Sequence, residues 1–432
     1  MSRSAADPQT PRDFAVRVVK TLRAAGYEAL WAGGCVRDDL LGIVPKDYDV
    51  ATTATPHQVI SLFGKRRTVP VGISFGVVMV LGPNRACSQI EVATYRADGE
   101  YLDGRRPDSV QFCSAEEDAR RRDFTINGMF YDPIQKEVID YVGGRQDLAA
   151  GIVRAIGNAA DRFTEDKLRM LRAVRFAATF EFQLDAATAA AILSLRQQIS
   201  QVSVERIAQE LRRMLSHRTR AVGMQRLIDV GLHEAVFGPL FDAALSGNEF
   251  GKIRDVLEHL QQPTFEPSLC AVFQLMFDAG ATIRRDRSSR IAGACRKLKL
   301  SNEETDSICW IAESAWQCQR AEEKPLHVLK PVLADGRAAL LLDYLKATAI
   351  AVQQPPVDTD FLQDYINRTP QNVLAPQPLI DGADLQSLGI TPGPIFKDLL
   401  QTIRNEQLDE VLADRAAALA RLNSLAESVR AE

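Results

Sequence analysis

The chemistry in this chain is concentrated first in two glycines and two aspartates. Gly33 and Gly34 close the apolar run Leu30-Trp31-Ala32 and open onto Cys35-Val36-Arg37-Asp38. Asp47 and Asp49 follow in Pro45-Lys46-Asp47-Tyr48-Asp49-Val50. Paired glycines let a backbone approach a phosphate with no Cβ in the way, and a helix opening just after them turns unpaired N–H groups toward an anion. Asp47 and Asp49 stand at i and i+2, so on a strand both side chains leave the same face. Side-by-side carboxylates repel unless a cation lies between them. Oxygen ligands of that charge suit Mg²⁺, which keeps some waters and shares its shell with substrate phosphates. Taken alone, such a pair also fits two solvated surface acids; the glycine turn upstream makes it a plan for phosphoryl or nucleotidyl transfer. The elements that must position these groups are a strand at Ala29 to Ala32, a helix from Val36 to Leu41, and a strand bearing both acids.

Three further stretches offer polar groups to the same cleft. Ser88 to Tyr95 alternates as a strand, and Glu91 lies between Ile90 and Val92. With its neighbours in the core, Glu91 faces the acid pair, as a general base, a further metal ligand, or simply an acid satisfied by an arginine. Arg96 to Asp108, rich in glycine and charge, reads as a mobile loop. In EEDARRRDFTINGMFY (Glu116 to Tyr131), Arg121, Arg122 and Asp123 precede an apolar turn of helix containing Asn127. Guanidinium forks match phosphate oxygens, and a carboxylate accepts from a ribose hydroxyl.

Thr164 to Phe176 is expected to begin a helix on which Asp166 and Arg169 share a face, with Arg172 one step further and Arg175 beyond it. Leu168, Leu171 and Phe176 are expected to pack elsewhere. An acceptor beside a donor matches cytosine (amino group next to N3) and adenine (amino group next to N1). It leaves guanine and uracil with unpaired buried polar groups. The same spacing also suits an ion pair on a solvated helix face, which contributes little.

The bulk properties set bounds. The chain has 432 residues and a formal net charge of −4, with ordinary hydrophobic and charged fractions of 46% and 25%. That length divides into two to four domains. No apolar run is long enough to span a bilayer, and the first residues lack a signal peptide's apolar core. Seven scattered cysteines without CxxC spacing fit free thiols in a reducing cytoplasm. The five histidines are isolated, so zinc is not expected. The negative total does not favour nucleic acid, yet arginines and lysines cluster (65–67, 105–106, 120–122, 284–290), and one positive face suffices for a phosphate backbone.

The string GGCVRDDLLG, followed by KDYDVATTATP, resembles the class II tRNA nucleotidyltransferase (CCA-adding) and bacterial poly(A) polymerase family. So do IEVATYR, RRDFTINGM (with Gly128 where alanine is usual) and EDKLRMLRAVRF. The resemblance implies an α+β chain: an N-terminal nucleotidyltransferase head with a mixed β-sheet flanked by helices over 1–150, then an all-α neck (151–220), body (221–350) and tRNA-binding tail (351–432). It implies Mg²⁺ held by Asp47 and Asp49, with Glu91 as a third catalytic acid. Gly33, Gly34, Arg37, Arg121, Arg122, Asp123 and Asn127 would bind triphosphate and sugar. Asp166 and Arg169 would read the base, supported by Arg172 and Arg175. Arg206, Arg212 and Arg213 in the neck are candidate RNA-backbone contacts. The implied activity is template-independent addition of CCA to tRNA from CTP and ATP in the cytoplasm. A poly(A) polymerase, an A-adding-only enzyme and a silent RNA-binding protein are the alternatives. The stretch 270–278 has no histidine, so a second phosphohydrolase site is not expected.

Overall fold

The computed structural model describes residues 8–98, 110–238, 249–278 and 287–431. They gather into two compact units, 1–214 with 222–238, and 215–221 with 239–432.

In the first unit, α1 (Pro11–Ala24) starts where the Thr10 hydroxyl accepts the Asp13 N–H at 3.1 Å, with Pro11 at the first helical position. Its spacing turns Phe14, Val18, Val19 and Leu22 onto one buried face, as an amphipathic pattern requires. Next come β1 (Ala29–Ala32), α2 (Gly34–Leu40), β2 (Asp49–Thr52), α3 (Pro56–Phe63), β3 (Thr68–Gly72), β4 (Val77–Leu81), β5 (Gln89–Thr94), β6 (Arg96–Asp98), β7 (Val110–Phe112), α4 (Ala115–Arg120), β8 (Phe130–Asp132) and β9 (Glu137–Ile139). Seven strands form one sheet in the order β3-β4-β5-β2-β1-β8-β9. β2 and β5 run parallel and every other neighbouring pair is antiparallel, so the sheet is mixed. Pro70, which has no N–H to donate, lies on edge strand β3, where a missing ladder bond is tolerated. β1 is buried throughout and central.

Two local expectations change. Arg96–Asp98 is not loop but half of a two-stranded ribbon with Val110–Phe112; the rest of the expected mobile loop, 99–108, lies outside the described residues. The helix expected from Thr164 is two helices, α6 (Ala159–Glu165) and α7 (Leu168–Thr179), reached after α5 (Gly144–Ala150). Asp166 lies between them in extended conformation, φ −142°. The Asp166 carboxylate accepts the Leu168 N–H at 3.1 Å, so it caps the second helix rather than continuing the first. α8 (Ala186–Leu195) and α9 (Val204–Leu215) follow.

The second unit is helical in its described residues. Glu249–His259 packs on Ala338–Ala351, and Phe265–Asp278 on Asn302–Gln317. The last of these begins in a capping box in which Ser301 and Glu304 exchange bonds. Ile380, Leu385, Leu399, Ile403 and Leu422 form an apolar cluster near its C-terminal end.

Candidate active site

Gly33 has φ +71° and donates its N–H to the Met129 carbonyl at 3.1 Å. Any L side chain is strained there, and a Cβ would stand 2.9 Å from Arg122 Nη1. The turn thus brings the start of α2 against the arginines of the segment after α4. Arg37, on α2, is buried. It donates to Asn127 Oδ1 and to Asp38 Oδ1, and its guanidinium lies 4.5 Å from the Phe180 ring centre and 5.1 Å from that of Phe176. Asn127 Nδ2 donates to Asp123 Oδ1 at 3.1 Å, and Arg172 donates to Asp123 Oδ2 through Nε (3.0 Å) and Nη2 (2.6 Å). One continuous network therefore runs from Arg37 on α2 to Arg172 on α7.

Asp118 organises the other arginines. Its buried carboxylate takes Arg121 on one oxygen and Arg122 on the other. Burial alone would raise its pKa, but the two guanidiniums overcome that and lower it. Asp123 behaves alike: burial raises it, yet Arg172 and Asn127 carry it down to about 2. Asp118 went unrecognised in the sequence, although its i+3 and i+4 spacing to Arg121 and Arg122 was a usable signal.

The acids are arranged differently from the expectation. β2 begins at Asp49, and Asp47 sits in the exposed bend before it, so the two do not share a strand face by alternation. The parallel register sets Asp49 directly opposite Glu91, whose neighbours Ile90 and Val92 are buried. Desolvation first, then the charges of Glu91 and Asp47, push Asp49 up to about 6 against the opposing pull of Arg122. Glu91 is raised as well, by desolvation, with Arg96 and Arg122 opposing. Crowded carboxylates of this kind are the environment a cation relieves. Among the described residues no three Asp, Glu, His or Cys side chains cluster as a metal shell; the paired Asp49 and Glu91 carboxylates are hard oxygen donors of the kind a divalent cation takes.

A cleft of about 430 Å³ is lined by Gly33, Gly34, Arg37, Asp49, Arg121, Arg122, Asp123, Asn127, Asp166, Arg169, Arg172 and Phe176. Its five arginines outnumber its three aspartates, a balance that favours an anion. A smaller cavity of about 190 Å³ lies across Asp49, between Glu91, Arg96, Phe75, Arg121 and Arg122. Of the residues expected to hold metal, nucleotide or base, Asp47, Glu91 and Arg175 are not among those lining the larger cleft. Arg175 donates instead to Glu210 at 2.6 Å. Arg169 pairs with Glu165 and reaches the carbonyls of Arg162 and Arg121, while Asp166 pairs with Arg206 at 2.7 Å. Asp166 and Arg169 thus meet in the cleft without sharing one helical face. Phe176, expected to pack elsewhere, lies in the wall, beneath Arg37, Arg172 and Arg175.

Residues 29–154 match the poly A polymerase head domain, and 181–245 match the family described as a probable RNA and SrmB-binding site of polymerase A. The CCA-adding enzyme of Oceanobacillus iheyensis is 42% identical over 327 residues, 75% of this chain and 76% of that enzyme. That of Ligilactobacillus salivarius is 31% identical over 401 residues, 92% of each. The chain belongs to the CCA-adding enzyme family. A CCA-adding enzyme of Bacillus stearothermophilus, crystallised in complex with CTP, has the same fold, with a TM-score of 0.74 at 26% identity, covering 97% of this chain and 99% of that one. Membership makes this chain a nucleotidyltransferase, and the CCA-adding family generally uses a divalent metal. The α+β architecture expected from the resemblance is present as the mixed sheet followed by helices. Among the described residues no helix is long and apolar enough to cross a membrane, and none of the seven cysteines is joined in a disulfide.

Proposed function

We propose that this nucleotidyltransferase adds CCA to the 3′ end of tRNA, using CTP and ATP and releasing pyrophosphate, in the cytoplasm. The observation that carries the reading is one cleft with three chemistries on its walls: Asp49 with Glu91 beside it, a band of arginines, and the Asp166–Arg169 corner. The 3′-hydroxyl oxygen of the RNA attacks the α-phosphorus as its proton passes to a neighbouring carboxylate or to water, the bond to the bridging oxygen breaks, and pyrophosphate leaves with that electron pair. Asp49 and Asp47 would hold Mg²⁺, with Glu91 alongside. When bound, that ion supplies positive charge where the hydroxyl is activated and the leaving group forms.

The remaining roles belong to the chain's own groups. The glycine turn lets the nucleotide phosphates approach the start of α2 (Gly34–Leu40). Arg37, Arg121 and Arg122, fixed in advance by Asp38, Asn127 and Asp118, meet charge developing on the pyrophosphate without having to be reordered. Asp123, whose carboxylate is occupied by Arg172, Asn127 and the Phe124 N–H, holds those donors on the cleft wall where the ribose would lie. Asp166 and Arg169 offer an acceptor and a donor to the base, admitting cytosine and adenine. Arg172 and, through Glu210, Arg175 support that corner from behind. The helices beyond residue 150 serve as neck, body and tail, the tail (351–432) contacting tRNA.

The test is incubation of the full chain with tRNA ending before, within and after CCA, each with one labelled nucleoside triphosphate. Addition of C, C and A followed by a stop supports the reading. Unlimited A tails on generic RNA would instead indicate a poly(A) polymerase, addition of the last A alone an A-adding enzyme, and binding without addition a silent RNA-binding protein.

A further inference from the structure

Arg206 and Glu210 stand one turn apart on α9 (Val204–Leu215), and they grip the base-facing segment with opposite charges. Arg206 Nη2 donates to Asp166 Oδ2 at 2.7 Å. Glu210, 3% exposed, accepts from Arg175 Nε at 2.6 Å and from Arg213 Nη1 at 3.1 Å. Asp166 itself lies outside both flanking helices, so no helical rotamer constraint holds it. Its carboxylate orientation rests on two bonds, one from the Leu168 N–H and one from Arg206. The terminal torsion of an aspartate is broad, so with a single bond left the carboxylate swings. A carboxylate has about four acceptor positions; two are taken by these donors, and the rest can face a base. The pair is partly buried, with side-chain exposures of 20% for Arg206 and 16% for Asp166.

We propose that Arg206 is a specificity-determining positioning residue: it fixes the Asp166 carboxylate at the angle from which it accepts the amino group of cytosine or adenine. The inference rests on the base-reading role proposed above for Asp166. Arg206, also a candidate RNA-backbone contact, donates to Asp166 and lies outside the network of Asp118 and Asp123 that holds the other arginines, so its removal changes which nucleotide is chosen more than how fast a chosen one reacts.

The experiment measures kcat/KM of the full chain for CTP against UTP on tRNA lacking CCA, and for ATP against GTP on tRNA ending in CC. For Arg206→Ala, discrimination is expected to fall about tenfold or more, as expected when a reading group is misplaced, with KM for the correct nucleotide rising more than kcat falls. Arg206→Lys, which keeps a donor at shorter reach, recovers part of the selectivity. An equal loss toward all four nucleotides, or unchanged discrimination, overturns the inference. Asp166→Ala separates the two levels. If it also leaves discrimination intact, the base-reading role itself fails; if it loosens selection while Arg206→Ala does not, only the positioning role fails. Should Arg206→Ala melt early, Arg206→Gln is read by the same criteria.

Discussion

The contact between Arg172 and Asp123 ties α7 (Leu168–Thr179) to the segment that follows α4 (Ala115–Arg120), and its strength is open to measurement. Consider Arg172→Met, which removes the charge and keeps an unbranched stem over Phe176, where the guanidinium now lies 5.3 Å from the ring centre. Two magnitudes apply. Stranding a buried charge costs about 3–5 kcal/mol. The fall of Asp123 from an ordinary 3.8 to about 2 corresponds to about 2 kcal/mol of neutral-pH stability, at roughly 1.4 kcal/mol per pH unit. That fall is net, with burial opposing it and Asn127 and Arg169 adding to Arg172; because Asp123 keeps the Phe124 N–H at 2.8 Å and Asn127 Nδ2 at 3.1 Å, the cost is expected near the smaller figure. Arg172 is also 29% exposed, so solvent screens part of the attraction.

The sign follows from the direction of the shift. A carboxylate whose folded pKa is depressed stabilises the fold fully above its unfolded value, near pH 4, and that stability is lost as pH falls toward 2. Urea unfolding can be followed through Trp31, which is wholly buried, with Trp310 and Trp316 replaced by Phe in both proteins. The variant should be less stable by about 2 kcal/mol at pH 7, and the gap should close progressively as pH falls toward 2, because burial raises an Asp123 that has lost Arg172. Acid effects common to both proteins cancel in the difference. A gap that stays constant down to pH 2.5 would refute the ion-pair account and leave packing as the cause.

Three further outcomes are expected. Gly33→Ala places a Cβ 2.9 Å from Arg122 Nη1 at φ +71°; nucleotide affinity should drop and stability fall by about 1 kcal/mol or more, read by titration calorimetry and urea unfolding. Gly128→Ala, which restores the alanine usual in the resembling motif, sets a Cβ 2.7 Å from Val142 Cγ2 and 2.9 Å from Ile156 Cδ1. It should destabilise by about 1–3 kcal/mol through overpacking, whereas a gain in urea midpoint would show the pocket to be roomier than described. Cys35, pushed up to about 12 by burial, should resist a thiol reagent at pH 8 in the native protein. The two half-buried thiols, Cys113 and Cys309, should label before it by mass-mapped alkylation, and early labelling of Cys35 would contradict its burial.

Gly128 illustrates what a sequence pattern conceals. Read locally, it is a mild weakener of a helix. In the structure it closes a short 3₁₀ turn, Thr125–Asn127, and what matters is the side chains of Val142 and Ile156 crowding in from later segments. Asp47 illustrates the limit of periodicity: i, i+2 spacing places two side chains on one face only if both residues lie on the strand, and β2 starts at Asp49. Glu91 was legible because it alternates with Ile90 and Val92, both buried. That it faces the acids was read with it; the parallel register that sets it directly opposite Asp49 was not, since register is set by pairing between segments.

Local pattern alone therefore carried the glycine turn, the alternation that aims Glu91 away from the core and, through motif resemblance, the family. These depend on backbone conformation and on which face of an element is apolar, both readable within a few residues. Tertiary structure alone decided that Asp166 occupies a break between two helices, that its partner is Arg206, forty residues on, and that Arg172 belongs to Asp123 across 49 residues. Charged side chains find partners wherever folding places them, and no local spacing encodes a contact between elements that meet only when the chain has packed.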